Sequence, residues 1–318
     1  MTAYILRRLL ISIPLLLGIT IIVFILADQM PGDAVLAMIT DETPMSEDVV
    51  KIRKGLLGLD QPLYVQYGRW INQVLRGNLG YSFQTGEPVS QLIGERIFAT
   101  LELMGVALLF SIIFGVTLGV ISALKQYSLT DYSLTMLGFL GVSIPDFFIG
   151  LVLVYIFALK LKLLPTSGMV TAGEPYALID NLRHLILPAM ALGLLRTATF
   201  TRYTRASMLE IINQDYIRTA RAKGLKQSTV ILKHALRSAL IPVITIIGID
   251  LPILFGGSII IETIFQWPGI GLLFMTAISG RDAPLIMGYV LFSAVIVLTS
   301  NFLTDIVYSW VDPRVRYD

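Results

Sequence analysis

The sequence predicts an all-α integral membrane protein with six transmembrane helices, on the basis of its apolar composition, its long apolar stretches and its one-sided basic charge. Hydrophobic residues make up 55% of the 318 residues and charged residues only 14%, whereas a soluble domain carries about 25% charge. The mean hydropathy is +0.76. Much of the chain must therefore meet lipid.

Five apolar stretches approach the ~20 residues that cross the hydrocarbon core of a bilayer, and a sixth is shorter. The five are residues 9–27, 103–124, 134–159, 238–261 and 285–304. The sixth begins at Leu185 and stays apolar only to Leu195, before Arg196, Arg202 and Arg205 intervene. We expect this sixth span to continue as a helix beyond the bilayer.

The first stretch follows Arg7 and Arg8, so a cleaved secretory signal is an alternative to a retained helix. The apolar region of a signal spans about 7 to 15 residues and ends in a small-x-small cleavage site. This stretch is longer and ends in Ala27-Asp28-Gln29. The comparison favours a retained first transmembrane helix over residues 1–27.

Basic residues are concentrated on one side of the predicted spans. Between Arg196 and Arg237, nine Lys/Arg residues stand against two acidic residues, a local charge of +7. With six spans, this segment and both termini lie on one face, which the positive-inside rule makes cytoplasmic. Residues 28–99 then form an external loop, 100–312 a core with five spans, and 313–318 a cytoplasmic tail.

The external loop is predicted to contain one amphipathic helix, which Pro62 can begin and Gly77 can end. Four residues share its apolar face: Leu63, Tyr67, Trp70 and Val74. We expect the helix to pack onto the spans, either as a brace for the outer mouth or as a contact for an external partner.

Prolines fall within or at the ends of several spans, where each removes a backbone donor and favours a kink. They are Pro14, Pro145, Pro188, Pro242 and Pro252. Kinked helices leave room for a path through the membrane. Gly256 and Gly257 permit close helix approach, although small residues are also ordinary packing devices in membranes.

The segment 213–226 is predicted to form a short helix that projects from the membrane. Asn213 can cap its start, Asp215 suits the positive end of the helix dipole, and Gly224 suits the position after its end. Ser228 can cap a second helix that Pro242 interrupts or kinks. The segment is either a rigid projection gripped by a partner, with Thr219, Ala220 and Ala222 as a small-residue face, or a basic stretch held against anionic headgroups.

Several motifs resemble those of the permease subunits of binding-protein-dependent ABC importers, specifically the dipeptide, oligopeptide and nickel group. The resemblance covers almost the whole chain. The most specific matches are Asp215-Tyr216-Ile217-Arg218-Thr219-Ala220-Arg221-Ala222-Lys223-Gly224, His234-Ala235-Leu236-Arg237 and Glu262-Thr263-Ile264-Phe265-Gln266-Trp267-Pro268-Gly269-Ile270-Gly271. Others include Tyr4-Ile5-Leu6-Arg7-Arg8-Leu9, Pro31-Gly32-Asp33, Gly58-Leu59-Asp60-Gln61-Pro62-Leu63 and Leu164-Pro165-Thr166-Ser167-Gly168.

The resemblance implies the type I ABC importer permease fold and a coupling helix like the EAA motif, which inserts into a groove on an ATPase subunit. The residues implied in ATPase coupling are Asp215, Tyr216, Arg218, Thr219, Ala220, Arg221, Ala222, Lys223, Gly224 and Leu225. Arg218 replaces the glutamate of the motif, so a salt bridge of that carboxylate does not carry over. Gly224 takes the position of the motif glycine.

The resemblance also implies the partners: a paralogous second permease, two ATPase subunits or domains, and an external substrate-binding protein that selects the cargo. This chain has no G-x-x-x-x-G-K-[ST] and no Gly-Lys dipeptide, so it has no P-loop. ATP and Mg²⁺ would be bound by the ATPase subunits, with no cofactor on this chain and no enzyme activity of its own. The net charge of +2 suggests no nucleic-acid partner. The implied location is the inner membrane of a bacterium or archaeon.

Charged residues within spans are costly, so Asp146, Asp250 and Asp305 must face protein, water or a partner. Asp146 and Asp250 each lie beside a proline and could line a path or contact the amino group of a peptide. The alternative for each is a buried salt bridge or a cap at a helix break. The candidates for a translocation path are Ser143, Pro145, Asp146, Asp250, Gly256 and Gly257.

Glu102 and Glu262 lie near the predicted outer boundary, where they are either exposed or brace a gate. The candidates for an external gate or a binding-protein contact are Glu262, Trp267, Pro268 and Gly269. His184 and His234 lie on opposite predicted faces without a carboxylate cluster, so we expect no metal site.

Three classes of function remain open. The first is an ABC importer permease for dipeptides or oligopeptides. The second is an ion-coupled secondary transporter that uses Asp146 and Asp250, and the third is a membrane enzyme or scaffold. No nucleophile elbow or other spaced catalytic constellation is present, which disfavours a membrane hydrolase.

Overall fold

A computed structural model describes the backbone of residues 2–30 and 60–311, and the side chains of these ranges except at positions 2–6, 9, 142, 251–257 and 305–311. Throughout these ranges the chain is helical with short connections, and it forms no β-structure beyond an isolated bridge between Tyr81 and Pro88. The predicted all-α fold class is confirmed.

The helices are numbered here in chain order. They are α1 (Thr2–Asp28), α2 (Leu63–Leu75), α3 (Val89–Leu124), α4 (Leu129–Ser143), α5 (Asp146–Leu153), α6 (Leu178–Ile212), α7 (Asp215–Ala222), α8 (Gln227–Thr229), α9 (Leu236–Ile264), α10 (Ile270–Ser279) and α11 (Ala283–Val311). A π-helical segment, Val154–Lys160, extends α5, and another, Val230–Ala235, leads into α9.

Among the described residues, five helices are long and apolar enough to cross a membrane, or six if α4 and the extended α5 form one bent span. Helix α10 was not anticipated from the sequence, because its 10 residues are too few to cross the hydrocarbon core. A short apolar run of this kind gives no span signal.

The prediction of one continuous span at 134–159 is wrong in form. Helix α4 ends at Ser143, α5 begins at Asp146, and the two axes are bent by 106°. Pro145 accounts for the break, because proline lacks a backbone donor and pushes the residue before it out of the helical region. Ile144 is accordingly extended, with φ −98° and ψ 128°. The kink expected at this proline is thus a full interruption.

Pro188 and Pro242 lie inside continuous helices, α6 and α9. Pro242 therefore does not interrupt its helix, and a kink there stays a prediction, whereas the expected cap at Ser228 is wrong. Helix α8 follows Lys226, makes no side-chain cap, widens into the π-helical segment and continues as α9. A proline is tolerated in a membrane helix where neighbouring groups satisfy the freed carbonyl.

Helix α6 continues well beyond the short apolar stretch that suggested it. Its 35 residues span about 52 Å at 1.5 Å per residue, more than the ~30 Å of hydrocarbon. It begins at Leu178, earlier than the predicted Leu185. The polar and basic second half belongs to the same rod as the apolar first half.

The chain divides into two compact units, each described here by itself. Unit 1 comprises residues 1–98 and 269–299, and unit 2 comprises residues 99–268 and 300–318. Helices α3 and α11 contribute to both units. The domain boundary that we placed at 99/100 lies inside α3, so the external segment and the core share one continuous helix.

In unit 1, aromatic side chains join α2 to α1. The ring of Phe24 lies 5.5 Å from that of Tyr67 and 5.6 Å from that of Trp70, centroid to centroid. The hydroxyl of Tyr67 lies 3.0 Å from Oγ1 of Thr20. Tyr67 and Trp70 belong to the apolar face predicted for this helix, so that face packs onto the first span as expected.

In unit 2, the core lies among α3, α5, α6 and α9. Its fully buried side chains include Leu103, Leu185, Ile261, Phe265 and Trp267. Lipid tails are as apolar as these side chains, so close packing rather than water exclusion must hold membrane helices together.

Glycines allow α3 and α6 to approach very closely. A Cβ on Gly119 would lie 2.6 Å from Cβ of Thr204, and one on Gly115 would lie 2.5 Å from Cβ of Phe200. Gly115 and Gly119 have the spacing of the small-xxx-small packing motif. The hydroxyl of Ser111 adds a bond across the same interface, donating to the carbonyl of Gly193 at 2.9 Å.

We predict that Gly119→Leu destabilises the protein strongly, because no rotamer of the new side chain fits against Thr204. Overpacking typically costs about 1–3 kcal/mol and can cost more. The matched control is Gly105→Leu on the same helix, since a Cβ there meets nothing within 4 Å. Monodisperse protein recovered in detergent is the measurement, and equal recovery of both variants would contradict the packing.

Candidate functional site

The predicted projecting helix is present as α7, an eight-residue helix between α6 and α9. Asp215 lies in its first turn and Arg221 in its last, and both complement the helix dipole. Gly224 follows in the left-handed region with φ +73°, where glycine is strongly favoured. Its amide donates to the carbonyl of Arg221 at 3.0 Å, which closes the helix end.

Asn213 does not cap α7, contrary to the prediction. It is the C-terminal cap of α6, and its Nδ2 donates to the carbonyl of Leu209 at 2.9 Å. Gln214 takes the N-cap position of α7 without a side-chain bond. Asn213 lies between two helices and could cap either of them. In the structure its side chain bonds the end of α6 and not the start of α7.

One face of α7 is anchored in the body of unit 2. Ile217 is fully buried and Ala220 is 8% exposed. Residues three apart share a helix face, and this face packs into a cluster with Ala123, Met208, Val230, Ala235 and Ala239. The cluster joins α7 to the ends of α3, α6 and α9.

The prediction that Ala220 belongs to an exposed small-residue face is therefore wrong. The one-turn spacing from Ile217 brings Ala220 to the anchored side of the helix. Thr219 and Ala222 are exposed as expected. A bulky or charged group at Ala220 would disturb folding, so that position cannot test docking.

The opposite face of α7 is exposed and basic. Tyr216 and Leu225 are 46% and 42% exposed. Four further exposed residues carry charge: Arg218, Arg221, Lys223 and Asp215. Arg218 Nη2 lies 2.5 Å from Oδ1 of Asp215, but a fully solvated pair of this kind contributes little to stability. We call these six residues with Thr219 and Ala222 the basic rim.

The structure places Asp250 in a buried ion pair rather than alone in a span. Nη1 of Arg196 on α6 donates to its Oδ1 at 2.7 Å, and the two side chains are 13% and 9% exposed. Its Oδ2 is buried without a hydrogen-bond partner in the described structure. The salt bridge that the sequence left open as an alternative is thus present at this position.

Asp146 is half-buried at the first residue of α5, where a carboxylate suits the positive end of the helix. Ser143 lies on the other side of the break, exposed, with its hydroxyl donating to the carbonyl of Phe139 at 2.8 Å. A path along Ser143, Pro145 and Asp146 stays a prediction.

The path candidates Gly256 and Gly257, with Pro252 and Asp305, lie where side-chain surroundings are outside the described residues. The same holds for the tail at 313–318 and for the motif Pro31-Gly32-Asp33. Their predicted roles stay predictions.

Glu262 and Trp267 are fully buried, so their predicted contact with an external binding protein is wrong. Nε1 of Trp267 donates to the carbonyl of Ala99 at 2.7 Å, and Oγ1 of Thr100 donates to Glu262 Oε1 at 2.8 Å. Between these two residues, Gln266 has a left-handed backbone with φ +48°. Both side chains therefore tie the end of α9 to α3, which fits bracing rather than docking.

Two other predicted outer residues are less accessible than a docking surface requires. Gly269 is buried and Pro268 is half-buried. Glu102 is also half-buried. Bracing of the outer end by these residues stays a prediction.

A second buried ion pair on α6 was not predicted from the sequence. Nε and Nη2 of Arg205 donate to the two carboxylate oxygens of Asp131 at 2.7 and 2.8 Å. Asp131 also accepts bonds from the hydroxyl of Ser122 and the amide of Tyr127. The sequence signal that could have indicated this pair was an aspartate in the first turn of an apolar helix, four residues after Tyr127.

We predict that Asp131→Asn destabilises the folded chain, because it leaves the guanidinium of Arg205 without its charge partner. Breaking a buried pair costs about 3–5 kcal/mol, which would lower the unfolding midpoint by about 10 °C in a chain of this size. Asp215→Asn is the matched control, since the Asp215 and Arg218 side chains are 90% and 71% exposed. Scanning fluorimetry in detergent measures both, and similar midpoints would contradict the role of the buried pair.

Comparison with known proteins identifies the class. A family model described as "Binding-protein-dependent transport system inner membrane component" matches residues 115–317, and a model for the N-terminal part of such components matches residues 1–104. The chain belongs to this family of inner-membrane components of binding-protein-dependent transport systems. It is thus a multi-pass inner-membrane protein, as predicted.

Several curated relatives match along their whole length. The chain is 44% identical over 318 residues to the oligopeptide transport system permease protein AppB of Bacillus subtilis, covering 100% of both chains. It is 40% identical over 335 residues to the dipeptide transport system permease protein DppB of Alkalihalophilus pseudofirmus, again covering 100% of both. The DppB of Escherichia coli K12 is 38% identical over 338 residues, with 100% and 99% covered.

Solved structures share the fold. An inward-facing structure of the MetNI methionine ABC transporter matches with a TM-score of 0.58 at 16% identity, covering 70% of this chain and 97% of that chain. A structure of an amino acid ABC transporter matches with a TM-score of 0.52 at 12% identity, covering 70% and 94%. The expected ABC importer permease fold is therefore confirmed.

Proposed function

We propose that the chain is one of two permease subunits of an ATP-driven importer, and that its cargo is a dipeptide or oligopeptide delivered by an external binding protein. The family membership and the whole-length similarity to permeases of dipeptide and oligopeptide systems support this proposal. The second permease would complete the pathway, and separate ATPase subunits would bind ATP and Mg²⁺.

The anchored helix α7 is the observation that carries the proposal. Its buried face, through Ile217 and Ala220, is packed against the ends of three long helices. A force applied to the basic rim would therefore pass into α6 and α9 instead of merely bending a loop. This is the mechanical property that a coupling helix needs.

The proposed orientation places α7 and both termini in the cytoplasm. The segment that contains α7 carries a charge of +7, and positive loops remain on the cytoplasmic side. Cytoplasmic ATPase subunits could then reach the basic rim.

The charge of the basic rim indicates the kind of groove that would accept it. Arg218, Arg221 and Lys223 outnumber Asp215 on this exposed surface. A complementary groove would present acidic side chains, because opposite potentials across an interface favour association and suppress wrong partners. Because Arg218 stands where the motif has a glutamate, its partner in the groove would be an acidic side chain and not a basic one.

The ion pair of Arg196 and Asp250 weakens the case for an ion-coupled carrier. Asp250 already has a guanidinium partner at 2.7 Å, so in this conformation it is not an open site for a proton or sodium ion. Peptide passage driven by ATPase subunits requires no such site.

We predict that Thr219→Trp uncouples ATP hydrolysis from transport. Thr219 is exposed on the basic rim, and an indole there would obstruct a close-fitting groove. An overpacked contact costs about 1–3 kcal/mol, and each ~1.4 kcal/mol is tenfold, so ATP-dependent uptake should fall about ten-fold. Uptake is measured in proteoliposomes that contain the complete importer.

Thr276→Trp is the matched control for this experiment. Both threonines are exposed in helices, and each hydroxyl donates to the carbonyl four residues earlier, at 3.0 Å for Thr219 and 2.9 Å for Thr276. The control should retain uptake. Normal uptake by a correctly assembled importer that carries Thr219→Trp would contradict the docking model.

We also predict that the reconstituted importer accumulates a labelled dipeptide or pentapeptide only when ATP and the binding protein are both present. The chain alone should accumulate neither peptide. Uptake by the solitary chain in response to a proton or sodium gradient would favour a carrier. Uptake of nickel complexes but not of peptides would overturn the assignment of peptides as the cargo, while the assignment to an importer would stand.

A further inference from the structure

A groove between α4 and α6 in unit 2 has a polarity gradient that the transport function does not explain. Its volume is about 260 Å³. One end is basic and the other apolar. The residues that define this gradient are Leu134, Gly138 and Phe139 on α4, and Ala198, Arg202 and Arg205 on α6.

The basic end lies at the level expected for a membrane surface. Three exposed tyrosines occur at this end of the two helices: Tyr127 is 72% exposed, Tyr132 61% and Tyr203 40%. Tyrosine is enriched at membrane–water interfaces. From Arg205 to Ala198, α6 rises by about 10 Å, which takes the apolar end of the groove into the hydrocarbon.

Arg202 supplies the uncompensated charge at the basic end. Arg205 is neutralised by Asp131 in the bidentate pair. The guanidinium of Arg202 lies 5.3 Å from the ring centroid of Tyr203, and in the part of the chain that the structure describes no carboxylate pairs with it. The groove mouth therefore carries a net charge of about +1.

We propose that this groove holds an anionic phospholipid, with its phosphate at Arg202 and an acyl chain along Leu134, Gly138 and Phe139. Basic pockets between membrane helices on the cytoplasmic side bind anionic headgroups. A phospholipid matches both ends of the groove at once, a charged group at the mouth and hydrocarbon below. Only the assignment to the inner leaflet rests on the orientation proposed above.

The lipid would lie next to the Arg205–Asp131 ion pair that joins α6 to α4. Its phosphate would lie one turn along α6 from Arg205, the residue that holds Asp131. Occupancy would therefore add a second link between the two helices beside the first.

The test measures lipid binding by the purified full-length chain in maltoside, titrated with palmitoyl-oleoyl phosphatidylglycerol or phosphatidylcholine and followed by native mass spectrometry. Arg202→Gln should weaken phosphatidylglycerol binding about five-fold, the effect of one basic residue near a membrane surface, and leave phosphatidylcholine unchanged. Arg76→Gln, at an exposed position outside the groove and the basic rim, is the control for charge alone and should change neither lipid.

Gly138→Leu tests the apolar end without changing charge. A Cβ on Gly138 would lie 3.9 Å from that of Ala198, an ordinary contact, so a leucine there fills the groove. It should weaken binding of both lipids. Equal phosphatidylglycerol binding by the unmodified chain and Arg202→Gln would overturn the proposal.

A photocrosslinking group placed at position 139 should react with lipid. A crosslink to the second permease or to a cargo peptide instead would also overturn the phospholipid proposal. The titration contains neither ATPase nor cargo, so its outcome is independent of whether the proposed import function holds.

Discussion

Buried charge is the constraint on which unit 2 depends. Helix α6 carries two guanidinium groups that meet carboxylates on other helices, Arg196 with Asp250 and Arg205 with Asp131. Removing one partner of a buried ion pair leaves an uncompensated charge and costs about 3–5 kcal/mol, so separating α4 or α9 from α6 is strongly unfavourable. These two pairs therefore determine which helices must remain together when the rest of the fold changes.

Close packing holds the helices that the two ion pairs do not join. Gly115 and Gly119 bring α3 against α6 at distances that no larger residue allows. Helix α7 then rests on the ends of these helices through Ile217. A partner that pushes on the exposed face of α7 therefore acts on a rod of 35 residues, held laterally by glycine contacts and ion pairs. That continuity is the structural basis for coupling a cytoplasmic event to the membrane spans.

Sequence reasoning succeeded where a property is local. Pro145 marked the position where α4 and α5 separate, although as a kink and not as a full break, and Gly224 marked the end of α7, because each depends on the backbone of one or two residues. It failed at Ala220, and for Glu262 and Trp267 it could not choose between a gate and a binding-protein contact, because the exposure of all three depends on which distant residues cover them. Ala99, for instance, lies 168 positions from its hydrogen-bonding partner Trp267. No local pattern contains such a pairing.

The sequence by itself determined the membrane class, five of the spans and the resemblance that proved to be family membership, because hydropathy and short motifs are sums over neighbouring residues. Only the tertiary structure decided which face of α7 is anchored, which carboxylates neutralise Arg196 and Arg205, and where α4 and α6 leave a groove. Those outcomes depend on the three-dimensional placement of separate helices, and the free energy of a buried charge or a close contact is defined only once both partners are in place.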